Sequence, residues 1–463
     1  MATDIEELAL KEKLGAYKQE HILACLDLLP EAGRKALLED LAEINFEQLA
    51  ALYRTYQQSL SESPGKKVFS TAEILTPPFS KTFFTLGEAY LREGKVGIFL
   101  VAGGQGTRLG FKGPKGCFPL SPVKHKSLFQ LFSESIRALE RRYGRRLPWY
   151  IMTSRENDRQ TRSFFSGNRY FGLSPDHVTF LKQAEIPSLD REGRLLLGRS
   201  GLVFKNPDGH GGALAAINAS GALRDMEEKG IEELFCFQVD NPLARIADPL
   251  FIGAHVERRA DMSTKVVEKT DPAELVGIIG KINGRLGCIE YSELTTAETA
   301  EKKADGGLRF ASANTAIHML KRGFIEKLTR DQGFSLPYHI AVKDIDCLAA
   351  QGGALVPMTD KGIKFEMFIF DALAFAQNPV TMQVKRGEEF APVKNSDGAD
   401  SPRTAQQAMI RLFTQWLKNS GKAPQSTDGL VIEVSPLYAL DEAEFRKNYT
   451  PPPSLSSPLY LGP

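Results

Sequence analysis

A glycine-rich stretch followed by three cations, within residues 103–115, has the composition of a site that holds phosphate groups. The glycines are Gly103, Gly104 and Gly106, and the cations are Arg108, Lys112 and Lys115. Glycine allows positive φ and close approach to the backbone, so the loop N–H groups can point at an anion. The stretch therefore predicts a polyphosphate-binding loop.

Two common phosphate-binding fingerprints are excluded by the residues present. The dinucleotide fingerprint G-x-G-x-x-G, counted from Gly104, requires a third glycine where Leu109 stands. The P-loop requires Ser or Thr after its Gly-Lys pair, whereas Lys115 is followed by Gly116. A loop that serves only as a turn is the structural alternative, and the neighbouring cations argue against it.

Asp240 is the candidate metal ligand. It follows the short apolar run Leu234–Val239, which has the pattern of a buried strand, so its carboxylate would emerge at the end of a sheet strand. Mg²⁺ takes one or two carboxylates together with substrate oxygens and water. A helix or turn cap made by Asp240 or Asn241 is the alternative. Beside a phosphate loop we favour the metal, as Mg²⁺ or as Mn²⁺ in its place.

A second glycine-rich loop spans residues 206–212 and has the sequence Asn-Pro-Asp-Gly-His-Gly-Gly. Its polar side chains, Asn206 and His210, suit a sugar or a base better than a phosphate. A simple turn is the alternative, and a histidine considered alone is more often structural than functional. The loop is thus a candidate for binding the rest of a nucleotide or sugar substrate.

Strand and helix patterns alternate from Val96 onward and predict an α/β fold. The predicted strands are 96–101, 149–152, 178–181 and 234–239, and the predicted helices are 127–141 and 158–165. Such a series indicates an open, mostly parallel sheet with helices on both faces. Ligands bind such sheets beyond the carboxyl ends of the strands. The phosphate loop and Asp240 both follow strands, so one site can collect them.

The chain divides on sequence into three parts. Residues 1–92 form a predicted helical region, 93–395 a catalytic domain and 396–463 a smaller C-terminal domain. Segments 265–269, 275–282 and 285–291 are predicted to form hairpin-like strands, with a tight turn at Asn283-Gly284. The C-terminal part contains a predicted helix at 404–417 and a predicted strand at 430–434, and the tail from Thr450 is expected to be irregular.

Composition excludes several classes of function. A net charge of +1 across 463 residues gives no reason to expect a nucleic-acid polymer or a membrane surface as partner. No apolar run approaches the length of a membrane span, and the acidic N-terminus does not have the layout of a signal peptide. The five cysteines are scattered without metal spacing, which predicts reduced thiols and a cytoplasmic protein. The oligomeric state is not predicted.

Several collinear segments between about Val96 and Phe413 resemble the UDP-N-acetylhexosamine pyrophosphorylase group of the UDP-sugar pyrophosphorylase family. They are Leu-Val-Ala-Gly-Gly-Gln-Gly-Thr-Arg-Leu-Gly (100–110), Val-Asp-Asn-Pro-Leu (239–243), Lys-Val-Val-Glu-Lys-Thr (265–270), Glu-Tyr-Ser-Glu (290–293), Gly-Ile-Lys-Phe-Glu (362–366) and Phe-Ala-Pro-Val-Lys-Asn (390–395). The resemblance implies a Rossmann-like, GT-A-like nucleotidyltransferase fold with a mixed sheet. It also implies a uridylyltransferase that converts UTP and a hexose 1-phosphate into UDP-sugar and pyrophosphate with Mg²⁺.

The resemblance also implies a role for each matching residue. Arg108, Lys115 and Lys394 would contact the phosphates. The nucleotide-binding residues would be Ala102, Gly103, Gly104, Gly106 and Thr107, with Gln183 and Gly209 reading uracil. Asp240 would bind the metal, and the sugar would meet His210, Gly277, Glu290 and Asn314. By residue type alone, Glu290 and Lys394 could equally be solvated charges.

Three positions depart from the N-acetylhexosamine pattern. His210 stands where that group has Asn, Ala311 replaces an Asn, and Lys112-Gly-Pro-Lys115 is closer to the glucose-type loop. We favour N-acetylglucosamine 1-phosphate as the substrate, with glucose 1-phosphate or a broad specificity as the alternative. A catalytically silent nucleotide-sugar sensor is a rival from another class. It predicts loss of a cation or of the metal carboxylate, yet all of them are present.

Overall fold

The computed structural model describes residues 2–61, 67–330, 335–423, 426–451 and 456–463, with side chains from residue 7 onward. Its contacts divide the chain into two units. The smaller unit comprises residues 1–67, 184–212 and 336–369, and the larger comprises 68–183, 213–335 and 370–463. The boundaries predicted at residues 92 and 395 do not coincide with this division, because the N-terminal helices share a core with two segments from the middle of the chain.

The strands are short except for one long pair. Strands β1 to β16 are Phe69–Thr71, Val96–Val101, Trp149–Thr153, Val178–Lys182, Glu185–Pro187, Lys205–Pro207, Glu233–Gln238, Met262–Glu268, Ile278–Ile282, Arg285–Ile289, Ser312–Lys321, Tyr338–Gln351, Ala354–Met367, Val380–Val384, Ile432–Val434 and Leu459–Leu461. Those predicted from sequence at 96–101, 149–152, 178–181 and 234–239 are confirmed to within a residue at each end.

The helices carry the amphipathic patterns of the sequence. Helices α1 to α15 are Ala2–Ala16, His21–Leu26, Glu31–Ala42, Phe46–Ser61, Lys81–Glu93, Leu128–Tyr143, Asp158–Gly167, Ala213–Ala219, Ala222–Glu228, Pro249–Glu257, Thr296–Ala300, Arg322–Arg330, Arg386–Glu389, Pro402–Asn419 and Glu442–Asn448. Most of α6 is buried on one side, and Ser127 caps it by accepting from the Gln130 amide.

A ten-stranded mixed sheet forms the centre of the larger unit, and helices flank it. Strands β7, β2, β3 and β4 run parallel, and β14 runs parallel to β8. Strand β11 lies antiparallel to β7 and β8, so the sheet changes from parallel to mixed at that point. The α/β class and the mixed sheet predicted from sequence are confirmed. β2 and β3 are almost wholly buried, as their continuous apolar runs require.

The smaller unit is built around the long hairpin of β12 and β13. Helices α1 to α4 contribute most of its core, together with residues from 186–203 and with Ile363 and Phe365 of β13. Within the region 1–92 that was predicted to be helical, α1 to α4 and α5 are helices, whereas β1 at Phe69–Thr71 is a strand of the main sheet.

Two predictions about the later strands need correction. Segment 265–269 is not part of a hairpin, because β8 lies inside the main sheet between β11 and β14. The hairpin is formed by β9 and β10 alone, and Asn283 (φ 51°) and Gly284 (φ 84°) make its turn as predicted. The tail is not wholly irregular, since β16 pairs in parallel with β15; residues 452–455 lie outside the described part.

Candidate active site

The segment between β2 and α6 folds back on itself to form a compact loop, residues 102–117, which we call the phosphate loop. The Gly106 amide donates to the Gly113 carbonyl at 2.8 Å, and the Lys115 amide donates to the Gly104 carbonyl at 3.1 Å. At its start, the Ala102 amide donates to the Met152 carbonyl at 2.8 Å, which fixes the loop to β3. The loop thus has a defined backbone, which includes two short 3₁₀ turns at Thr107–Leu109 and Lys115–Cys117.

The first three glycines of the phosphate loop do not use the positive φ that glycine allows, and two of them serve close packing. Positive φ occurs instead at Gly110 (71°) and Gly113 (145°). A Cβ at Gly103 would lie 2.9 Å from Gln183 Oε1, and one at Gly106 would lie 2.8 Å from the Phe111 ring. Gly104 has no atom within 4 Å of such a Cβ and is exposed, so a ligand can approach its backbone.

Asn157 anchors this loop, and sequence reasoning missed it. It is fully buried just before α7. Its Nδ2 donates to the Ala102 carbonyl at 2.9 Å and to the Gly104 carbonyl at 3.3 Å, while its Oδ1 accepts from the Ser154 amide at 2.9 Å. Its position in the sequence could have indicated this role. Asn157 follows the predicted strand 149–152, and residues after that strand lie at the same edge of the sheet as the glycines of the phosphate loop.

Apart from Gly209, the residues predicted to contact the nucleotide lie on or beside the phosphate loop. Thr107 and Arg108 are exposed in a short 3₁₀ turn, and Lys115 is half-buried at the start of another. Gln183 is buried and its amide donates to the Thr153 carbonyl at 2.8 Å, which places it directly after β4. The carboxyl ends of three adjacent parallel strands thus supply this side of the site.

Asp240 leaves the sheet at the same edge. The Val239 amide donates to the Val101 carbonyl at 3.0 Å, so the half-buried Asp240 follows β7 beside the start of the phosphate loop. The Val393 amide donates to the Asp240 carbonyl at 2.8 Å, which places Lys394 on a segment bonded to Asp240. The Lys394 ammonium lies 3.4 Å from the Asp400 carboxylate.

The larger unit brings Gly277, Glu290 and Asn314 together around the Cys288 thiol, and we call these three residues the sugar cluster. The Asn314 amide donates to the Gly277 carbonyl at 2.8 Å, and Asn314 Nδ2 lies 3.9 Å from Cys288 Sγ. A Cβ at Gly277 would lie 2.5 Å from that sulfur and 3.6 Å from Glu290 Oε1. Glycine is therefore required at this position by the contact with Cys288.

A β-bulge in β11 presents Asn314. The pairing with β8 shifts register between Asn314 and His318, and Ala316 adopts a left-handed φ of 57°. Asn314 Oδ1 accepts from the Ala316 amide at 3.0 Å, which fixes the side chain. Bulges of this kind re-aim side chains next to binding sites. Burial raises the pKa of Cys288 well above its ordinary value, so its thiol stays protonated.

The loop with Gly209 and His210 belongs to the smaller unit. Gly209 has a φ of 84°, and a Cβ there would lie 2.3 Å from the Met367 carbonyl oxygen, so only glycine fits. His210 Nδ1 accepts from the Ile369 amide at 3.1 Å, and its ring stacks on Phe368 with centroids 5.2 Å apart. Asn206 donates through Nδ2 to the Ser188 hydroxyl. A sugar contact for His210 stays a prediction.

The electrostatic state of His210 follows from these contacts. Burial, assisted by the nearby His339, lowers the pKa of His210 to about 4. An Nδ1 that accepts a hydrogen bond requires the proton of the neutral ring to sit on Nε2. His210 is therefore a neutral side chain near pH 7, with one ring nitrogen engaged by the backbone.

Comparison with known proteins decides the family. The family model described as UTP–glucose-1-phosphate uridylyltransferase matches residues 53–450. The chain belongs to this family. The match covers the phosphate loop, Asp240, Lys394 and the sugar cluster.

Relatives and solved structures of this uridylyltransferase family extend over nearly the whole chain. The chain is 34% identical over 454 residues to UDP-N-acetylglucosamine diphosphorylase 2 of Arabidopsis thaliana, covering 93% of this chain and 87% of that protein. It is 33% identical to the UDP-N-acetylglucosamine pyrophosphorylase of Saccharomyces cerevisiae, covering 92% and 90%. The crystal structure of the uridine diphosphate N-acetylglucosamine pyrophosphorylase from Trypanosoma brucei superposes with a TM-score of 0.81 at 28% identity, covering 96% and 94%.

Two further observations concern the described residues of this family member. None of their helices combines the length and the apolar character needed to cross a membrane. All five cysteines are free of disulfide bonds. Cys117 lies in the phosphate loop, where burial raises its pKa to about 12, so a packing role fits it better than a reactive one.

Proposed function

We propose that the protein transfers a uridylyl group from UTP to a hexose 1-phosphate, with UDP-sugar and pyrophosphate as products. The observation that carries the proposal is the convergence of the phosphate loop and Asp240 at the carboxyl ends of the neighbouring strands β2 and β7. Ligands of open α/β sheets bind at such an edge. The uridylyltransferase family and the relatives named for UDP-N-acetylglucosamine support the same reaction.

The reaction needs positioning and charge stabilisation more than covalent catalysis. A phosphate oxygen of the sugar 1-phosphate attacks the α-phosphorus of UTP, a new P–O bond forms, and the bond to the β-phosphate oxygen breaks as pyrophosphate leaves. Arg108 and Lys115 would hold the triphosphate and the leaving pyrophosphate, together with amides of the phosphate loop. Lys394 would supply a further cation from the segment that is hydrogen-bonded to Asp240. Preorganised charges of this kind lower the barrier without a covalent intermediate.

Asp240 fits the role of a Mg²⁺ ligand. Within the described residues, no group of three His, Cys, Asp or Glu side chains could hold a metal by itself. One half-buried carboxylate beside a phosphate loop suits Mg²⁺, which takes its remaining ligands from substrate oxygens and water. When bound, the ion would neutralise phosphate charge. Mn²⁺ would serve in its place.

N-acetylglucosamine 1-phosphate is the sugar substrate that we favour. The relatives named for this sugar cover most of the chain, and the sugar cluster offers the carboxylate of Glu290 and the carboxamide of Asn314. Glucose 1-phosphate is the alternative, because His210 and Ala311 depart from the N-acetylhexosamine pattern. We place the reaction in the cytoplasm, since the scattered cysteines suit a reducing compartment.

The test is pyrophosphate release from UTP and Mg²⁺ with the 1-phosphates of glucose, galactose, N-acetylglucosamine and N-acetylgalactosamine in parallel. Turnover with any of them supports uridylyl transfer, and the ratio of kcat/KM values assigns the sugar. Silence with all four, combined with a thermal shift by UTP, would contradict the proposed reaction and support the sensor. A rise in melting temperature with NAD(P) but not with UTP would also contradict UTP as the nucleotide that the protein binds.

A further inference from the structure

Asp240 and Lys394 lie on loop segments about 150 residues apart, and Asn241 joins those segments. It is 2% exposed. Its Nδ2 donates to the Glu389 carbonyl at 2.8 Å, and its Oδ1 accepts from the Ala391 amide at 3.1 Å. A carboxamide carries a donor and an acceptor on separate atoms of one short side chain, so it can bond an amide and a carbonyl of the same segment at once. The Asn241 side chain thus pairs with backbone groups of residues 389 and 391 as a neighbouring strand would, although residues 389–391 are not part of a strand.

The hydrogen bond between the Val393 amide and the Asp240 carbonyl completes this contact. Asp240 itself supplies the bonded carbonyl, and Lys394 directly follows the bonded Val393. We call the three hydrogen bonds from Asp240 and Asn241 to residues 389–393 the loop clamp. Because these bonds join residues 240–241 to residues 389–393, a displacement of one segment would move the other.

A buried charge cluster anchors the clamp to the sheet. The Lys265 ammonium of β8 is fully buried and donates to the Glu389 carboxylate at 2.5 Å and to the Asp248 carboxylate at 2.8 Å. Asp248 also caps α10 by accepting from the Leu250 amide at 3.2 Å. Glu389 therefore connects the cluster through its side chain and the clamp through its carbonyl.

The pKa values of the two carboxyl groups in this cluster shift in opposite directions. Burial raises the pKa of Glu389. For Asp248, burial opposes ionisation, but Lys265 and Arg245 outweigh it and hold the pKa of Asp248 below its ordinary value. Buried ion pairs of this kind add little net stability compared with apolar residues of the same volume. Because this ion-pair cluster adjoins two loops of the site, a role in holding those loops in place explains it better than a gain in stability.

We propose that Asn241 and Lys265 are positioning residues, which set Asp240 relative to Lys394 through the loop clamp. The inference rests on the proposed function of Asp240 and Lys394. Neither Asn241 nor Lys265 needs to touch substrate. Pre-alignment of the metal carboxylate and the phosphate cation would lower the cost of reaching the transition state.

The test compares Asn241→Ala and Lys265→Met with the control Lys126→Met. Lys126 belongs to the same unit, is 7% exposed and donates to the Glu134 carboxylate at 2.6 Å, so its loss also strands a buried carboxylate. We expect kcat to fall by about 10- to 100-fold in both test variants, with the KM for the sugar phosphate within about twofold of wild type. The control should lose as much melting temperature but keep kcat within about threefold. A kcat loss no larger than that of the control would overturn the proposal.

Two further readouts do not depend on turnover. Amide hydrogen exchange of residues 390–395 should accelerate in Asn241→Ala and not in Lys126→Met, and Mn²⁺ binding followed by electron paramagnetic resonance should weaken several-fold. Unchanged exchange in the 390–395 segment would overturn the clamp. If Lys265→Met does not fold, Glu389→Gln replaces it as an isosteric variant with the same expected kcat loss.

Failure of the proposed function gives a different result. A wild-type protein that turns over none of the four sugar phosphates would contradict uridylyl transfer. Hydrogen exchange would then still decide whether Asn241 holds the two segments together, with faster exchange in Asn241→Ala supporting the clamp and unchanged exchange overturning it.

Discussion

The phosphate loop and the sugar cluster, both in the larger unit, are assembled in different ways. The phosphate loop is one contiguous segment whose backbone bonds to itself and to β3, and its cations project from short turns. The sugar cluster combines residues from three separate places, two of which contribute side chains, held around Cys288 by a hairpin and a β-bulge. One region uses mainly backbone groups and charges, whereas the other uses side chains placed by tertiary structure.

This difference separates reaction type from substrate choice. A contiguous loop that recognises phosphate charge can serve any sugar phosphate, since phosphate carries no information about the sugar. An assembled cluster can change its preference through a single side chain, because buried polar groups left without partners are costly. Substitutions in the first region should therefore slow all substrates equally, and those in the second should slow them unequally.

Asp240→Asn should give the largest effect, a loss of about a thousandfold in kcat with every sugar, since a metal and a carboxylate charge are removed together. Pyrophosphate release at rising Mn²⁺ and Mg²⁺ concentrations measures it. Glu228→Gln, which changes an exposed carboxylate of α9 in the same unit, serves as the control. Metal-activated turnover close to wild type would exclude Asp240 as the ligand.

Arg108→Ala and Lys115→Ala should each lower kcat/KM by about a hundredfold, because each removes a preorganised charge from the developing pyrophosphate. The loss should be the same for glucose and N-acetylglucosamine 1-phosphates. Lys302→Ala, at an exposed position of the same unit, should leave the rates unchanged. A loss in kcat/KM that differs between the two sugars would contradict the assignment of reaction type to the phosphate loop and of substrate choice to the sugar cluster.

Asn314→Ala should raise the KM for the sugar phosphate by about tenfold and leave the KM for UTP near wild type, since one directed hydrogen bond to a sugar hydroxyl would be lost. Initial rates with each substrate varied separately measure the two constants. Asn218→Ala is a suitable control, because the side chain of this exposed asparagine donates to the Thr329 carbonyl and to no site residue among those described. Equal changes in both KM values would assign Asn314 to the fold rather than to the sugar.

The sequence was informative where function depends on neighbours in the chain. Apolar runs ending in glycine or aspartate located β2 and β7, and their parallel pairing then fixed which edge carries the site. The loop turned out to use its first glycines for packing against Gln183 and Phe111, which only the tertiary structure can show.

Features that depend on distant residues could not be predicted. Asn157 and Asn241 act through bonds to backbone groups 53 to 150 residues away, and no local pattern marks them. The bulge at Asn314 follows from register between β11 and β8, which the two strands set jointly. The three-part division failed to match the two units for the same reason, since the smaller unit draws on three separated segments.

Ala311→Asn should give a smaller effect, a change of about three- to tenfold in the ratio of kcat/KM for N-acetylglucosamine over glucose 1-phosphate. Ala311 precedes β11, and its carbonyl accepts from the Lys269 amide at 2.7 Å, so a longer side chain here lies close in sequence to Asn314. The added side-chain amide of Asn could make one hydrogen bond to a substituent of the sugar. The four-sugar assay measures it, and an unchanged ratio would remove Ala311 from the choice of sugar.

His210 belongs to neither region, and His210→Asn tests whether it stabilises its own loop. Its pKa is lowered to about 4 from an ordinary value of 6.5, so between these pH values the unfolded chain binds a proton that the folded chain does not. Stability should therefore fall as the pH drops from 7 toward 4, by about 1 to 2 kcal/mol at pH 5 for this one group. Urea unfolding at pH 7 and pH 5 should show a smaller loss in His210→Asn. If the loss is unchanged while the sugar ratio shifts, His210 acts on the substrate and not on the stability of the loop.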